Sequence, residues 1–494
     1  MISFSKAILA FMTSSVIGTV TQVAKGKLSA VFLGTEGVGV YNQVSLFFSL
    51  IITICVLGFP NGITRKVALE HEAKNWSAIR SQLSSFFFFL GLVSLSVCAL
   101  VVIFSSEISE LLFDDGGERA TLVSLMMLGI PFATQGYVYR ALFNGLRSVH
   151  VLVKSRIKAD VISVGIFAGL IIPFGIQGAV LGFVSLHILY LSFLLVNVKR
   201  VAPEVGTPKA SSFQLGDVQN AFGFGLHGLA VAIVGSLTTL VVSRWIISNS
   251  NLSDAGLFSV AYKVASVYLA GMYAAATGHY YASVARAQGH DSVNGVINGA
   301  IRIYMSIIPP IVGVLISAGS LLMIAFFSAD FVPAATLLLL LLPADIFRLV
   351  SEVVGQALVA KNRLLPSFVI YSSWVVSYLG LAHLLVDTHG IWGVAAAYLL
   401  SQMILLVLMI SGGMLLLSYR PDRQTVGFFL RGLVLATACA VSSYLLDDQL
   451  HRVLVGGFFI VVWGLVSLMN PEFRSLAVRA SSKVVVPVKA VFKR

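Results

Sequence analysis

Charge is what this chain has least of. Only 11% of its 494 residues are Asp, Glu, Lys or Arg, 57% are apolar, and the mean hydropathy is +0.93. Such a chain has too little polar surface to cover a soluble globule of its length. Cysteine is scarce as well: Cys55, Cys98 and Cys439 stand far apart in apolar surroundings, with no CxxC pattern and no neighbouring histidine. That spacing points away from a disulfide framework and from a metal site. No GxxxxGK[ST] loop is present, so ATP-driven work by this chain alone has no support, and HExxH and GxSxG are missing too. No cofactor is implied. A membrane-bound transferase would need carboxylates or bases held in a sizeable extramembrane loop, and the longest polar loop, Glu107 to Glu118, is short and acidic.

What the chain does have is a succession of apolar runs near the roughly 17 to 25 residues that a helix needs to cross a bilayer. Alternating segments of about ten residues, the mark of an outer-membrane barrel, are absent. The expected fold is an all-α integral membrane protein. The first spans run near Ala7–Val23, Val40–Ile63, Leu83–Phe104, Thr121–Phe143, Ala159–Ile172 and Ile176–Val198, and eight more follow between Phe222 and Leu468. That makes about fourteen transmembrane helices. Val201 to Asp217 interrupts the pattern with two prolines and several polar residues, as a linker would. The expected organisation is a first six-helix lobe over 1–200, a cytoplasmic linker over 201–217 and a second lobe over 218–418. Two further helices occupy 419–470, and a basic cytoplasmic tail 471–494.

The basic residues sort by loop. With the N-terminus placed inside, Arg65/Lys66, Lys154/Arg156/Lys158, Lys199/Arg200, Arg286, Lys361/Arg363, Arg420/Arg423 and the tail all face the cytoplasm, and only Arg119 and Arg452 face out. Both termini are therefore expected to be cytoplasmic. This sorting also accounts for the net charge of +12 without nucleic acid as a partner. A short repeat relates the halves: GVGVYNQ (Gly37–Gln43) aligns with AGLFSVA (Ala255–Ala261), setting Gly39 on Gly256, and LFNGLRSV after span 4 resembles VGQALVAKNR after span 10. Six spans per half give both halves one orientation, hence a pseudo-two-fold axis along the membrane normal and substrate between the lobes.

Charges inside spans mark the candidate site. A lysine at the bilayer centre costs roughly 2.5 to 3.5 kcal/mol by the lowest scales, so Lys25 and Lys27 on one span suggest that it borders a polar cavity. Lys25 and Lys263 both fall roughly 12 to 15 Å below the outer surface, at 1.5 Å per residue. Arg140 and Arg302 fall in the inner half. The competing expectation for these cations is snorkelling to headgroups or anchoring at the interface. Asp345, Arg348 and Glu352 share one face of span 10. They form either a self-neutralising packing cluster or a carboxylate site whose proton or sodium occupancy changes during a transport cycle. Asp160 is expected at the interface beside Lys158, and His227 and His279 as packing residues.

LGTEGVGVYNQ between spans 1 and 2, LGFPNGITRKVALE closing span 2, FFSADFVPAA before span 10 and ALVAKNR after it resemble the Wzx-type oligosaccharide flippases of the MOP superfamily. The resemblance implies a two-lobed bundle in the bacterial cytoplasmic (inner) membrane. It would move an undecaprenyl-pyrophosphate-linked glycan, a polyprenyl-borne repeat unit, from the cytoplasmic to the periplasmic leaflet for lipopolysaccharide or other surface polysaccharide. Lipid II-type flippases and MATE-like ion-coupled exporters are the alternatives. The resemblance to the lipid II flippases, whose basic residues on spans 1, 2 and 8 face the cavity, extends the substrate-binding set to Lys25, Lys27, Arg65, Arg140, Lys263 and Arg302. A pyrophosphate needs such cations in place of its hydration shell. The coupling ion, a proton or sodium, would then use Asp345, Arg348 and Glu352.

Overall fold

The computed structural model describes residues 4–221 and 226–468, with side chains for 17–219, 228–266 and 280–468. Among these every regular element is helical. The side chains of His227 and His279 and the tail 471–494 lie outside the described residues.

The first lobe begins with α1 (Phe4–Val56), which breaks at Leu57 and Gly58 before α2 (Phe59–Glu72) restarts with a proline in its first turn. It continues through α3 (Trp76–Ile103), the short α4 (Ser105–Phe113), α5 (Ala120–Met127), α6 (Ile130–Gly145) and α7 (Val149–Val201). After α8 (Leu215–Ala221), the second lobe consists of α9 (Leu226–Asn249), α10 (Leu252–Arg286), α11 (His290–Ser317), the short α12 (Gly319–Phe326), α13 (Ala334–Ala360) and α14 (Leu364–Leu417). Finally α15 (Arg423–Leu445) and α16 (Gln449–Leu468) pack on α11.

Three of these helices, α1, α7 and α14, are long enough to cross a bilayer twice, and each reverses at a glycine with positive φ: Gly34 (67°), Gly175 (54°) and Gly390 (53°). Glycine alone takes that conformation without steric cost. A second glycine three residues on lets the returning arm lie against the first, since a Cβ at Gly178 would fall 2.0 Å from the Leu170 carbonyl oxygen and one at Gly393 2.2 Å from that of Leu385. Counting these three helices twice and α5 with α6 as one, and leaving out the short α2, α4, α8 and α12, gives fourteen crossings among the described residues. The glycine turns, which mark what we term the turn end of the bundle, recur at matching places in the two lobes: GIQG in α7 and GIWG in α14.

Span boundaries differ from the hydropathy reading in one consequential place. Residues 149–158, expected as a basic loop, are the first turns of α7, so Lys154, Arg156 and Lys158 project from a helix. Asp160 is accordingly not an interfacial residue but a buried one, 4% exposed. Hydropathy registers where apolar character begins, and a helix can start well before that. Likewise Pro173 does not stop the fifth span; it lies inside the helix, and the chain turns two residues later.

The segment after α7 is docked rather than open. Arg80 donates to the backbone carbonyls of Val205 and Glu204, Ser81 and Ser85 bond Asp217, Lys66 sits 3.9 Å from the Asp217 carboxylate, and Ala202, Val205 and Val218 are buried against the α2, α3 and α6 core. This linker marks the opposite, linker end of the bundle.

Candidate functional site

In the first lobe, basic side chains lie on three helices, one of them paired with a buried carboxylate. Lys25 on α1 donates a 2.8 Å hydrogen bond to the Ser163 hydroxyl on α7, whose own proton goes to the Asp160 carbonyl. The Asp160 carboxylate accepts from Arg156, one turn earlier, at 3.0 Å. Arg156 lies over the Tyr190 ring, Lys25 over Phe167 and Arg140 of α6 over Tyr137, with cation-to-centroid distances of 5.6, 5.8 and 5.7 Å. Each is within the range of a cation–π attraction. Tyr190 lies within electrostatic reach of Arg140, Arg156 and Asp160 together. At 1.5 Å per residue, Arg140 and Arg156 stand about 8 to 10 Å from the linker end of their helices and Lys25 about 14 Å from the turn end. The three cations are thus strung along the lobe rather than clustered at one level. With Asp160 as the single carboxylate in the string, it keeps a positive excess, which suits an anion moving along it.

The second lobe carries a different chemistry. Asp345 on α13, 1% exposed, accepts hydrogen bonds from Arg348 (3.4 Å) and from the Tyr398 hydroxyl of α14 (3.2 Å), and Arg348 also donates to Tyr398 at 3.2 Å. Glu352 is only partly buried. Lys263 on α10 is exposed.

Other expected site residues separate from these two groups. Lys27 donates to the Ile324 carbonyl on α12, so it ties the first lobe to the second at the turn end. Arg302 is engaged by Asp422 (3.3 Å) and Gln424 (2.8 Å), the start of α15, which gives it an anchoring geometry. Arg65 is exposed on α2, at the linker end. Arg156 and Asp160, which belong to this group, were expected in a basic loop and at the interface, and Tyr190 was not singled out. The available signal was the i, i+4 pair of Arg156 and Asp160, a helix pattern inside a supposed loop.

The two lobes meet at the turn end. A Cβ on Gly39 would lie 2.0 Å from the Leu252 carbonyl oxygen, and one on Gly256 2.1 Å from that of Thr35, so the backbones of α1 and α10 touch where the repeat aligns them. Arg244 of α9 fastens the same seam, donating to the Leu111 carbonyl at 2.7 Å and pairing with Asp114 at 3.2 Å. Outside the seam lies an open vestibule of about 500 Å³ between Asp114, Arg119 and Asn251. Toward the linker end the packing loosens: in α9, residues 228–237 include no buried side chain, whereas from Thr238 onward buried ones recur.

The first-lobe wall of the vestibule rests on Asp115, which accepts from Gly117 N–H (2.9 Å), Arg119 N–H (3.0 Å), the Arg119 guanidinium (3.2 Å) and the Ser109 hydroxyl (3.1 Å). Burial alone would raise its pKa, but these hydrogen bonds outweigh burial and hold the carboxyl below the usual range. A folded-state pKa below the unfolded one gives stability that is complete above about pH 4 and lost as pH falls through the folded value. Asp115→Asn should therefore lower the melting temperature in detergent at pH 7, by the equivalent of about 1 to 3 kcal/mol, and flatten its acid dependence. A variant that melts like wild type at pH 7 would show the turn to be held by other contacts.

A family model described as "Polysaccharide biosynthesis protein" matches residues 6–279, more than half of the chain. The chain belongs to the polysaccharide biosynthesis protein family. It is 26% identical over 201 residues to the stage V sporulation protein B of Bacillus subtilis (strain 168), a match covering 39% of this chain and 38% of that protein. The match thus spans well under half of that curated relative. Among solved structures, the lipid II flippase MurJ in an inward closed conformation is 14% identical, covering 93% of this chain and 98% of its own, with a TM-score of 0.64. An inward-facing multidrug resistance MATE family transporter of the MOP superfamily is 16% identical over 83% and 98%, with a TM-score of 0.68. At these identities the likeness establishes the fold alone, a two-lobed multi-helix bundle, and nine helices among the described residues are long and apolar enough to cross a membrane.

Proposed function

We propose that this polysaccharide biosynthesis protein is a flippase for a polyprenyl-pyrophosphate-linked oligosaccharide. In this reading it carries the repeat unit from the cytoplasmic to the periplasmic leaflet of a bacterial inner membrane by alternating access, with the linker end and both termini cytoplasmic. The observation that carries the reading is the string Arg140, Arg156, Lys25 along the first lobe. An anion that sheds its water needs charge-assisted hydrogen bonds in exchange, and successive cations let it advance without being held at one. Lys263 and Arg65 extend the cationic path in our reading, and Lys27 and Arg302 serve the framework. A seam closed at the turn end and loose packing at the linker end fit a bundle awaiting cargo from the cytoplasm. An exporter of small organic cations would want unpaired acids, whereas Asp345 and Asp160 are each bonded to an arginine.

The test is depletion of the protein in the cells that make it. The lipid-linked repeat unit should accumulate in the membrane, read by mass spectrometry of extracted lipids, while surface polysaccharide falls. An unchanged lipid pool would refute the flippase reading.

Gradient coupling we place at Asp345, Arg348 and Glu352. Asp345 shares Arg348 with Tyr398, so binding of a proton or sodium ion there would release the guanidinium. Asp345→Asn should then make export insensitive to collapse of one ion gradient that abolishes it in wild type. Equal sensitivity in a normally abundant variant would leave the cluster a packing element.

A further inference from the structure

The second lobe contains a group of side chains that the cationic string does not use. Tyr262 on α10, Tyr371 on α14 and Arg348 and Glu352 on α13 are each only partly buried, and Tyr371 lies within electrostatic reach of the other three. The Tyr371 hydroxyl faces α9 at Gly235, 3.8 Å from the place a Cβ would occupy. The two tyrosine rings belong to one aromatic run, which continues past Tyr262 to Phe258, stacked on it at 6.2 Å. Tyr262 meets Tyr398 edge-on at 5.8 Å, Tyr398 meets Tyr378 at 5.6 Å, Tyr378 stacks on Trp374 at 6.0 Å, and Trp374 touches Tyr371 at 5.1 Å. The middle members are buried, Tyr398 to 2% exposure, and the Trp374 indole is fixed by a 3.1 Å bond to Ser401. Their packing holds the two partly exposed rings at a set separation.

Two partly exposed rings with a carboxylate and a guanidinium nearby match one chemical class. The C–H faces of a pyranose lie on aromatic rings, and its paired hydroxyls fit bidentate to a carboxylate or guanidinium. An organic cation would meet Arg348 here, and a pyrophosphate would meet Glu352. We infer that Tyr262, Tyr371, Arg348 and Glu352 form a sugar-binding subsite for the glycan end of the cargo, opposite the cationic string that takes its pyrophosphate. This inference rests on the flippase reading above and assigns each end of the cargo to its own lobe.

Site-specific photocrosslinking in the full-length protein, in the membranes of the cells that make it, tests the two readings separately. The substitutions are Tyr371→p-benzoylphenylalanine, Tyr262→p-benzoylphenylalanine and, as the first-lobe probe, Tyr137→p-benzoylphenylalanine, which keeps a ring beside Arg140 and all three cations of the string. After illumination, peptides carrying position 262 or 371 should bear sugar masses. If only position 137 captures the lipid-linked glycan, the subsite is wrong and the flippase reading stands; if no position captures glycan, both fall. Tyr371→Ala should cut export about tenfold at normal abundance, and Tyr371→Phe, which keeps the ring face, should retain most of it. Loss of resistance to tetraphenylphosphonium in Tyr371→Ala with glycan export intact would instead mark an organic-cation site and overturn the proposal.

Discussion

Gly256→Leu should abolish export. A Cβ at this position would lie 2.1 Å from the Thr35 carbonyl oxygen, and even an alanine would need the two backbones to part by about 1 Å to reach normal contact. Leucine adds three more carbons in the same place. Helices at this seam are held by close backbone packing that only glycine permits, so the added side chain removes many small contacts at once instead of one bond. Arg244, strapped to Leu111 and Asp114, is too close to the seam to span a widened gap. The bundle would then fail to close its turn end, and alternation between two closed seams would stop. The expected readout is export at least tenfold below wild type, together with new labelling of Val38→Cys, a position 4% exposed in the closed seam, by a membrane-impermeant maleimide. Wild-type export with Val38→Cys still protected would show that the Gly39–Gly256 crossing is not a gate.

That crossing also shows what a sequence can and cannot disclose. The alignment of Gly39 with Gly256 was legible as an equivalence between halves, but equivalent residues meet only if they lie near the symmetry axis, and no linear pattern states how far from the axis a residue sits. The fourteen crossings were legible because apolar length is a direct response to bilayer thickness. The turn at Gly175 was legible, since the fifth and sixth spans break between Ile172 and Ile176, but a hydropathy window averages over a single glycine and so does not show that Gly175 and Gly390 carry the reversals. Arg156 and Asp160 were misplaced for a related reason: a short stretch rich in lysine and arginine looks like a loop unless the four-residue spacing of opposite charges is given weight. Arg302 shows the converse. Its place in the inner half was readable, but its partner Asp422 is 120 residues away, and only the fold brings α15 against α11.

The second large effect belongs to Lys25. It is the one cation of the string in the half of the bundle nearer the turn end, on the helix that packs against both α7 and α10, so cargo advancing from Arg140 and Arg156 meets it next, while Lys27 beyond it is engaged by the Ile324 carbonyl. Losing one charge-assisted hydrogen bond to a desolvated anion costs about 1.5 to 3 kcal/mol, or roughly 10- to 150-fold in rate if the bond forms during passage. Lys25→Ala should therefore stop measurable glycan export. Abundance should stay near normal, because Ser163 keeps its bond to the Asp160 carbonyl and Asp160 keeps Arg156. Lys25→Gln isolates charge from polarity: an amide can still reach the Ser163 hydroxyl but offers no net charge, and it should fail as the alanine does. Lys25→Arg should retain part of the activity, since the charge remains but a planar fork grips a pyrophosphate at two oxygens and releases it more slowly. Ser163→Ala serves as the control for packing, since it removes the lysine's hydrogen-bond partner and leaves the charge in place. If Lys25→Gln exports at the wild-type rate while Ser163→Ala does not, the lysine acts by tying α1 to α7 and the cationic path is wrong.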